Sequence, residues 1–355
     1  MDKIIKTVLK KFEDNKFEAY IVGGYVRDRL LKKHSFDIDI ATTALPKDIH
    51  ELFPNAIQNK FGGFTFNLKK YSFDITTYRT ESDYFNCKPQ NIEYIKDISL
   101  DAKRRDFTVN AMYMNKSEKI VDFFNAKNDM KNKVLKTIGD ASVRIVEDPL
   151  RILRAIRFAT VLNYTLDSKL EMAIKDNKIL LKKISDAKLK QEFSKLLMSK
   201  NVMKGITLIK ELELDKILNI NCDNVIFSED LLVMFAQLKF DKKIFSKIEN
   251  KSINTINIIR NYGTIDNAIL FKYGLYHSMS VGGILGISKN QIIKQYKGLW
   301  ISNEKPLVVS AEEIMKIMNL DEGAKLGQVI NDLTDKILNK KLKNEKKAIM
   351  KYLTK

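Results

Sequence analysis

The sequence predicts an α/β head with a small mixed sheet, followed by an all-α C-terminal body. Two observations support this division. Up to about residue 140, short segments with strand periodicity alternate with short helical ones, and four of the five prolines lie within the first 149 residues. Beyond residue 140, apolar residues recur at the 3.6-residue spacing of helices, with few helix breakers. We therefore expect one mixed layer followed by packed helices.

The elements expected in the head follow from these patterns. Strands are predicted at residues 19–22, 35–41, 64–69, 72–78, 119–123 and 134–138, with 64–69 and 72–78 forming a hairpin. Helices are predicted at residues 25–32, 46–53 and 97–113, and a loop runs from residue 79 to about residue 90. Beyond the head, helices are predicted at residues 141–146 and 149–163, and a basic amphipathic helix at residues 336–355. That last helix fits either a solvated face or an RNA backbone contact.

The chain is strongly basic, with a net charge of +18. Such a charge favours a polyanionic partner, and nucleic acid is the usual one. Composition offers another explanation, because the chain is crowded with Lys, Asn and Ile, as drift in an AT-rich genome would produce. Of the 62 basic residues only ten are Arg, and nine of these lie before residue 158. Because Lys cannot reproduce the planar fork of Arg, we expect the arginines to mark the functional region.

The sequence favours a cytoplasmic protein without a membrane segment. Its apolar runs fall short of the ~18 residues that span a bilayer. The first eleven residues lack the apolar core of a signal peptide. Cys87 and Cys222 lie far apart and predict neither a disulfide framework nor a metal site.

Carboxylates at residues 37 and 39 are the first candidates for chemistry. In a strand, residues i and i+2 point to the same face, so Asp37 and Asp39 are expected side by side, roughly 7 Å apart at the backbone. Carboxylates placed in this way repel unless cations lie between them, and Mg²⁺ prefers such hard oxygen ligands. Alone, the pattern also fits two acidic residues on an exposed strand.

The segment before these carboxylates reads VGGYVRD at residues 22–28, which predicts a strand, two glycines and a helix. Glycine lets backbone N–H groups approach a phosphate, and Arg27, one turn into the helix, could reach a triphosphate oxygen. The segment also fits an ordinary strand–helix turn. In a neighbouring strand, Asp74 alternates with Phe73 and Ile75 and could either complete the metal site or be an exposed hairpin residue.

Three motifs follow one another along the first 160 residues. Residues 23–39 contain GGYVRD and then DID, residues 104–112 read RRDFTVNAM, and residues 147–158 read EDPLRILRAIRF. In letters, order and spacing they resemble the motifs of the CCA-adding enzymes and bacterial poly(A) polymerases, the class II tRNA nucleotidyltransferases of the polymerase-β superfamily. The resemblance implies an α/β nucleotidyltransferase head with a polymerase-β-like fold.

The same resemblance implies roles for individual residues. Asp37 and Asp39 would bind the metal ions, with Asp74 as a candidate third carboxylate. The residues implied to hold the nucleotide are Gly24 and Arg27 at the triphosphate, Arg105 at the ribose or phosphates with Asp106 fixing the local structure, and Arg154 and Arg157 at triphosphate or RNA phosphate.

Asp148 and Arg151 are implied to read the base. They lie three residues apart, which is one helix face if a helix spans both. ATP and CTP share an exocyclic amino donor beside a ring-nitrogen acceptor, so a carboxylate and a guanidinium complement both. GTP and UTP present the opposite polarity, which leaves buried groups unpaired at a cost of ~1–3 kcal/mol each. Asp148 could instead cap the helix that follows Pro149, and the two roles compete for one side chain.

Secondary features favour complete CCA addition to tRNA, with CTP and ATP as donors and Mg²⁺ as the cofactor. Residues 59–64 read NKFGGF rather than the IGRRF-like stretch typical of the poly(A) polymerases, and parts of residues 307–345 resemble the tail of Bacillus-type CCA-adding enzymes. The segment from residue 79 to about residue 90 is present, whereas CC-adding enzymes tend to shorten it. A partial adder, a poly(A) polymerase and a non-catalytic RNA-binding protein stay open as alternatives.

The domain division predicted on this basis has four parts. They are a catalytic head at residues 1–140, a helical neck with base recognition at 141–200, a helical body at 201–300 and a tRNA-binding helical tail at 301–355. The expected partners are the 3′ end and acceptor arm of tRNA. Neither a membrane nor an obligatory protein partner is expected.

Overall fold

The structure is a computed structural model that describes residues 1–59, 62–85 and 88–354. Its internal contacts divide the chain into two units, Met1–Asn219 and Ile220–Lys355. The first unit contains the predicted head together with the predicted neck and the start of the predicted body. The finer division into four parts remains a prediction.

The first unit is built around a seven-stranded mixed sheet. Its strands are β1 (Ala19–Val22), β2 (Asp37–Thr42), β3 (Ile57–Gln58), β4 (Phe64–Leu68), β5 (Tyr71–Thr77), β8 (Met112–Met114) and β9 (Ile120–Asp122). The spatial order is β3-β4-β5-β2-β1-β8-β9, in which β2 and β5 run parallel and the other neighbours antiparallel. The predicted mixed sheet and the hairpin of β4 with β5 are confirmed.

Helices complete this unit. They are α1 (Lys3–Asp14), α2 (Gly24–Leu30), α3 (Pro46–Leu52), α4 (Ile98–Lys103), α5 (Ala126–Asn132), α6 (Ala141–Glu147), α7 (Leu150–Leu162), α8 (Ser168–Asn177), α9 (Asp186–Leu197), α10 (Val202–Glu211) and α11 (Leu214–Leu218). In α1 the buried residues Ile5, Val8, Leu9 and Phe12 have the spacing of one helix face. The predicted helices at 141–146 and 149–163 correspond to α6 and α7.

The predicted loop from residue 79 to about residue 90 is wrong. Strands β6 (Arg79–Phe85) and β7 (Lys88–Tyr94) form an antiparallel hairpin there. Charged residues alternate along β6 and β7 is mostly polar, so the segment lacks the regular apolar periodicity that predicts a strand. The sequence interpretations that concern Cys87 and residues 60–61 lie outside the described residues.

The predicted helix at residues 97–113 is also wrong beyond its first turns. The helix α4 ends at Lys103, a 3₁₀ turn follows at Thr108–Asn110, and β8 begins at Met112. The strand predicted at residues 134–138 shortens to β10 (Val134–Leu135), which pairs in parallel with β11 (Thr165–Leu166). Residues 104–107 therefore lie in irregular backbone between α4 and the 3₁₀ turn that precedes β8.

The second unit is helical, as predicted. It contains α12 (Leu231–Leu238), α13 (Lys247–Tyr262), α14 (Asn267–Gly282), α15 (Lys289–Lys297), α16 (Ala311–Met318), α17 (Ala324–Leu338) and α18 (Lys346–Leu353). The single basic helix predicted at residues 336–355 is wrong, because α17 ends at Leu338 and α18 begins only at Lys346. Across the described residues, every helix is too short or too polar to cross a lipid bilayer.

Candidate active site

Strand β2 presents the two predicted carboxylates on one face. Ile38 and Ile40 are buried, whereas Asp37 is exposed and Asp39 is partly buried, as the alternation of a strand requires. Asp74 of β5 is the cross-strand partner of Asp39 in the parallel pairing. Three carboxylates therefore share one face of two adjacent strands, and Thr65 of β4 donates its hydroxyl to Asp74.

The turn before α2 comes close to these carboxylates. Gly23 has a φ of 77°, a conformation that favours glycine, and a Cβ atom there would lie 3.0 Å from Oδ2 of Asp39. Burial raises the pKa of Asp39 above its usual value, the nearby Asp74 and Asp37 add to this effect, and Arg105 opposes it. The protein thus holds a carboxylate where a negative charge is costly without an added cation.

A cavity of about 650 Å³ opens beside this strand face within the first unit. All ten residues predicted as site residues line it: Asp37, Asp39, Asp74, Gly24, Arg27, Arg105, Asp148, Arg151, Arg154 and Arg157. The sheet supplies the carboxylates, and α2, α7 and the irregular segment after α4 supply the cations. The tertiary structure therefore brings the three sequence motifs to one place.

The arginines of α7 are held by carboxylates. Asp106 accepts hydrogen bonds from Arg154, at 2.8 Å from Nε, and Glu192 of α9 accepts one from Nε of Arg157. The guanidinium of Arg157 also lies 3.9 Å from the centre of the Phe158 ring. Although burial alone would raise it, the ion pair with Arg154 lowers the pKa of Asp106 to about 2. These arginines are fixed in position before any ligand arrives.

Arg27 and Arg105 are fixed in the same way. Arg27 donates from Nε to Asp28 at 2.9 Å and from Nη1 to Asn110 at 2.6 Å. Arg105 donates from Nη2 to Asp101 at 3.1 Å and from Nε to the Tyr113 hydroxyl at 2.8 Å.

Asp101 is fully buried and is the central acceptor of this group. It also accepts from Arg104 and from the Tyr113 hydroxyl, at 2.8 and 2.6 Å. Although its burial acts in the opposite direction, Arg105 and Arg104 lower the pKa of Asp101.

Asp148 and Arg151 do not lie on one helix face, which corrects the sequence expectation. Asp148 has an extended backbone between α6 and α7, and its Oδ1 accepts from the Leu150 N–H at 3.1 Å. Arg151 is buried and donates from Nη1 to Glu147 at 3.0 Å and to the Arg144 carbonyl at 2.7 Å. Pro149 rather than Asp148 is the N-cap of α7, and the bond to Leu150 uses only one oxygen of Asp148, so Oδ2 keeps its capacity to accept.

Several residues at the site escaped the sequence analysis. Asp101 and Glu192 each hold arginines, and Lys195 lines the cavity from α9. One sequence pattern indicates Glu192, because this acidic residue stands beside the apolar Phe193 in an amphipathic helix. Tyr84 of the unpredicted β6 lies with its ring 5.9 Å from the Arg151 guanidinium and donates its hydroxyl to Glu81 at 2.8 Å.

The carboxylate face fits a hard divalent cation. Neither the Asp37 carboxylate nor the Asp39 carboxylate accepts a hydrogen bond from any described residue, so both can still take a cation as a ligand. The described residues that line the cavity include no His or Cys, which are the ligands preferred by softer metals. Within the described parts of the chain, no three His, Cys, Asp or Glu side chains are arranged to hold one ion.

Comparisons with known families cover most of the chain. Residues 19–136 match the poly A polymerase head domain, residues 163–219 match the probable RNA and SrmB-binding site of polymerase A, and residues 226–353 match the putative tRNA nucleotidyltransferase domain 2. Two of these matches fall in the helical part where the sequence motifs gave little to compare.

Individual proteins are similar over nearly the full length. The CCA-adding enzyme of Lactobacillus helveticus is 32% identical, covering 98% of this chain and 95% of the relative. That of Lactococcus lactis is 31% identical over 97% of this chain and 95% of the relative.

The fold is also similar to those of solved structures. The Bacillus stearothermophilus CCA-adding enzyme in complex with CTP has a TM-score of 0.85 at 24% identity, covering 99% of this chain and 97% of the other. The Thermotoga maritima CCA-adding enzyme complexed with tRNA has a TM-score of 0.67 at 21% identity, covering 99% and 95%.

Proposed function

The chain belongs to the family of CCA-adding enzymes, and on this premise we propose that the cavity beside β2 is where it completes the 3′ end of tRNA. The reaction adds C, C and A from CTP and ATP without a nucleic acid template and releases pyrophosphate. One observation carries the location: the Asp37 and Asp39 carboxylates, which accept no hydrogen bond from any described residue, line the same cavity as Asp148 and Arg151.

We propose that Asp37 and Asp39 hold divalent metal, and that this metal is Mg²⁺. Family members generally use a divalent metal, and Mg²⁺ is usually bound by one or two carboxylates together with substrate phosphates. When bound, the ions would lower the pKa of the attacking 3′ hydroxyl and neutralise charge on the leaving pyrophosphate. Asp74 is proposed as a third catalytic carboxylate, and its pairing with Asp39 across the strands supports this role.

Arg27, Arg154 and Arg157 are proposed to hold the triphosphate together with the backbone of Gly24. Support comes from the Phe158 ring, which has these three guanidinium groups 5.6, 5.4 and 3.9 Å from its centre. Because carboxylates already orient these cations, they can bind phosphate without first being ordered. Arg105, held by Asp101 near the strand carboxylates, is proposed to contact the ribose or the phosphates.

Asp148 and Arg151 are proposed to select the base. Oδ2 of Asp148 would accept from the exocyclic amino group of CTP or ATP, and Arg151 would donate to the neighbouring ring nitrogen. UTP and GTP would leave a buried group unpaired, which costs ~1–3 kcal/mol per group. Because Oδ1 already accepts the Leu150 N–H at the start of α7, the carboxylate orientation is restricted before the base binds.

The roles of the four predicted parts are proposed as well. Residues 1–140 would carry catalysis, 141–200 would contribute base selection, and 201–300 with 301–355 would hold the tRNA. The match of residues 163–219 to an RNA-binding region and of residues 226–353 to a tRNA nucleotidyltransferase domain supports this division. A cytoplasmic location, where tRNA is processed in bacteria, is proposed with it.

Extension of a defined RNA tests the function. The purified protein is incubated with CTP, ATP, Mg²⁺ and a tRNA that lacks its last three nucleotides, and the products are sequenced. Growth by C, C and A followed by a stop is the expected result, with loss of extension when EDTA removes the metal and recovery when Mg²⁺ is added back. Long A tails, an arrest after CC, or no extension would each contradict the proposal.

A further inference from the structure

Lys195 of α9 differs from the other cations of the cavity. Each arginine that lines the cavity has a carboxylate partner: Asp28 for Arg27, Asp101 for Arg104 and Arg105, Glu147 for Arg151, Asp106 for Arg154 and Glu192 for Arg157. Lys195 lines the same cavity and is exposed, yet it forms no ion pair or hydrogen bond through its ammonium with any described residue. Among the described lining residues it is the cation without a partner.

The position of Lys195 in α9 indicates the end of the cavity at which it lies. It lies three residues after Glu192 on α9, which places the two on neighbouring positions of one helix face. Glu192 holds Arg157, and Arg157 lies over the Phe158 ring beside Arg27 and Arg154. Lys195 therefore belongs to the group of cations around Phe158 rather than to the base-selecting end near Asp148.

We propose that Lys195 binds the terminal phosphate of the incoming nucleoside triphosphate, a role that rests on the proposed function of the cavity. A lysine ammonium is a compact charge on a flexible stem with three donors, which suits the terminal phosphate, the most highly charged group of the nucleotide. The arginines around Phe158 are already compensated by carboxylates, so the lysine supplies net positive charge that the bound triphosphate would otherwise lack. After transfer, the same contact holds the pyrophosphate.

The charge arrangement favours the nucleotide over RNA phosphate as the ligand. A phosphodiester carries a single negative charge, whereas the terminal phosphate and the pyrophosphate carry more, and the unpaired cation lies inside the cavity lining rather than on a separate surface. An RNA contact remains a distinct outcome of the test below.

Nucleotide binding without RNA tests the proposal directly. The affinities of the full chain for CTP, ATP and CMP are measured by isothermal titration calorimetry with Mg²⁺ present. In Lys195→Ala the affinities for CTP and ATP should fall equally, by about tenfold, which corresponds to ~1.4 kcal/mol. The affinity for CMP should not change, because CMP lacks the terminal phosphate that Lys195 is proposed to bind.

Two further variants control this measurement. Lys200→Ala removes an equivalent exposed charge just after α9 and outside the cavity lining, and it should leave all three affinities unchanged. Lys195→Arg should retain most of the CTP affinity because it keeps the charge. Lys195→Met keeps the aliphatic stem and should behave as Lys195→Ala, which separates loss of charge from loss of packing.

Several results would overturn the proposal. Unchanged CTP affinity in both Lys195→Ala and Lys195→Met would do so, as would an equal loss for CTP and CMP. A loss of affinity for tRNA lacking CCA, with CTP affinity retained, would assign the lysine to RNA instead. If wild-type protein binds CTP but extends no tRNA, the proposed function fails while the Lys195 measurement still stands.

Discussion

On the strand side of the cavity, the carboxylates of Asp37 and Asp39 accept no hydrogen bond from any described residue, whereas on the helix side each arginine of α7 is held by a carboxylate. The difference indicates how each side works. The strand carboxylates need a cation from solution, so their charge is available for metal. The arginines are oriented in advance, and what they offer a ligand is geometry as much as charge.

The largest expected effect is a loss of catalytic rate when a strand carboxylate is removed. Asp39→Asn should lower the rate of nucleotide addition by about 10³-fold or more, because metal-ion catalysis is worth several kcal/mol of transition-state stabilisation. The melting temperature should stay the same or rise, since burial already raises the pKa of Asp39 and penalises its charge. Single-turnover extension of tRNA and thermal unfolding measure the two quantities.

The matched control for that variant is Asp14→Asn at the exposed end of α1. It removes the same charge far from the cavity and should extend tRNA at the wild-type rate. If the Asp39→Asn protein kept a tenth of the wild-type rate, the difference described between the strand side and the helix side of the cavity would be contradicted.

The second largest effect is a loss of stability when a carboxylate that holds an arginine is removed. Asp106→Asn should destabilise the protein by about 2 kcal/mol at pH 7, because the folded-state pKa of about 2 lies below the usual 3.8. A lowered pKa means that the contribution is complete above about pH 4 and is lost as the pH falls through 2. The difference between wild type and variant should therefore shrink over that window in urea unfolding at successive pH values.

An exposed ion pair provides the contrast for this measurement. Glu213→Gln breaks the pairs with Lys178 and Lys216 on the surface, and it should not measurably change stability at any of these pH values. A pH-independent difference for Asp106→Asn would mean that the Asp106–Arg154 pair does not stabilise the folded state in the way described.

A third effect concerns base choice, where one side chain serves both structure and selection. Asp148→Ala should raise incorporation of UTP relative to CTP by about tenfold, since the rejected base no longer meets an unmatched acceptor. Asp148→Ser retains an oxygen that can accept the Leu150 N–H but lacks the second acceptor. Competition between CTP and UTP at the first added position measures the ratio.

The two Asp148 variants separate the alternatives. If Ser behaves as Ala, the carboxylate selects the base directly. If Ser restores wild-type selection, then the hydrogen bond from the Leu150 N–H is what matters, and the assignment of Asp148 to base reading is wrong.

The smallest effect is expected at the hairpin that reaches the arginine side. Tyr84→Phe removes the hydroxyl bond to Glu81 but keeps the ring near Arg151, so it should cost about 1 kcal/mol or less and leave base choice unchanged. Tyr84→Ala also removes the ring and should alter the CTP preference. Equal effects of both variants on base choice would place the influence in the hydroxyl rather than in the ring.

Local pattern predicted much of the candidate site. The i, i+2 spacing of Asp37 and Asp39 predicted that both lie on one face of a strand. The paired glycines of the sequence predicted the strand–helix turn at Gly23. The motif segments supplied the residues that line the cavity. The hairpin of β6 and β7 was missed because its polar strands have no regular apolar face to detect. The predicted helix ran past the end of α4 because the sequence pattern did not mark the irregular segment that begins with RRD.

What the sequence determined by itself was which residues point the same way along one element, because side-chain direction repeats every two or 3.6 residues. What only the tertiary structure decided was which residues meet across elements. Asp106 meets Arg154 from 48 positions away, and Arg27 meets Asn110 from 83 positions away. No local period encodes such pairings, since they depend on how the sheet and α7 pack. Within the described residues, this packing gave every cavity arginine a carboxylate and gave the carboxylates of Asp37 and Asp39 no hydrogen-bond donor.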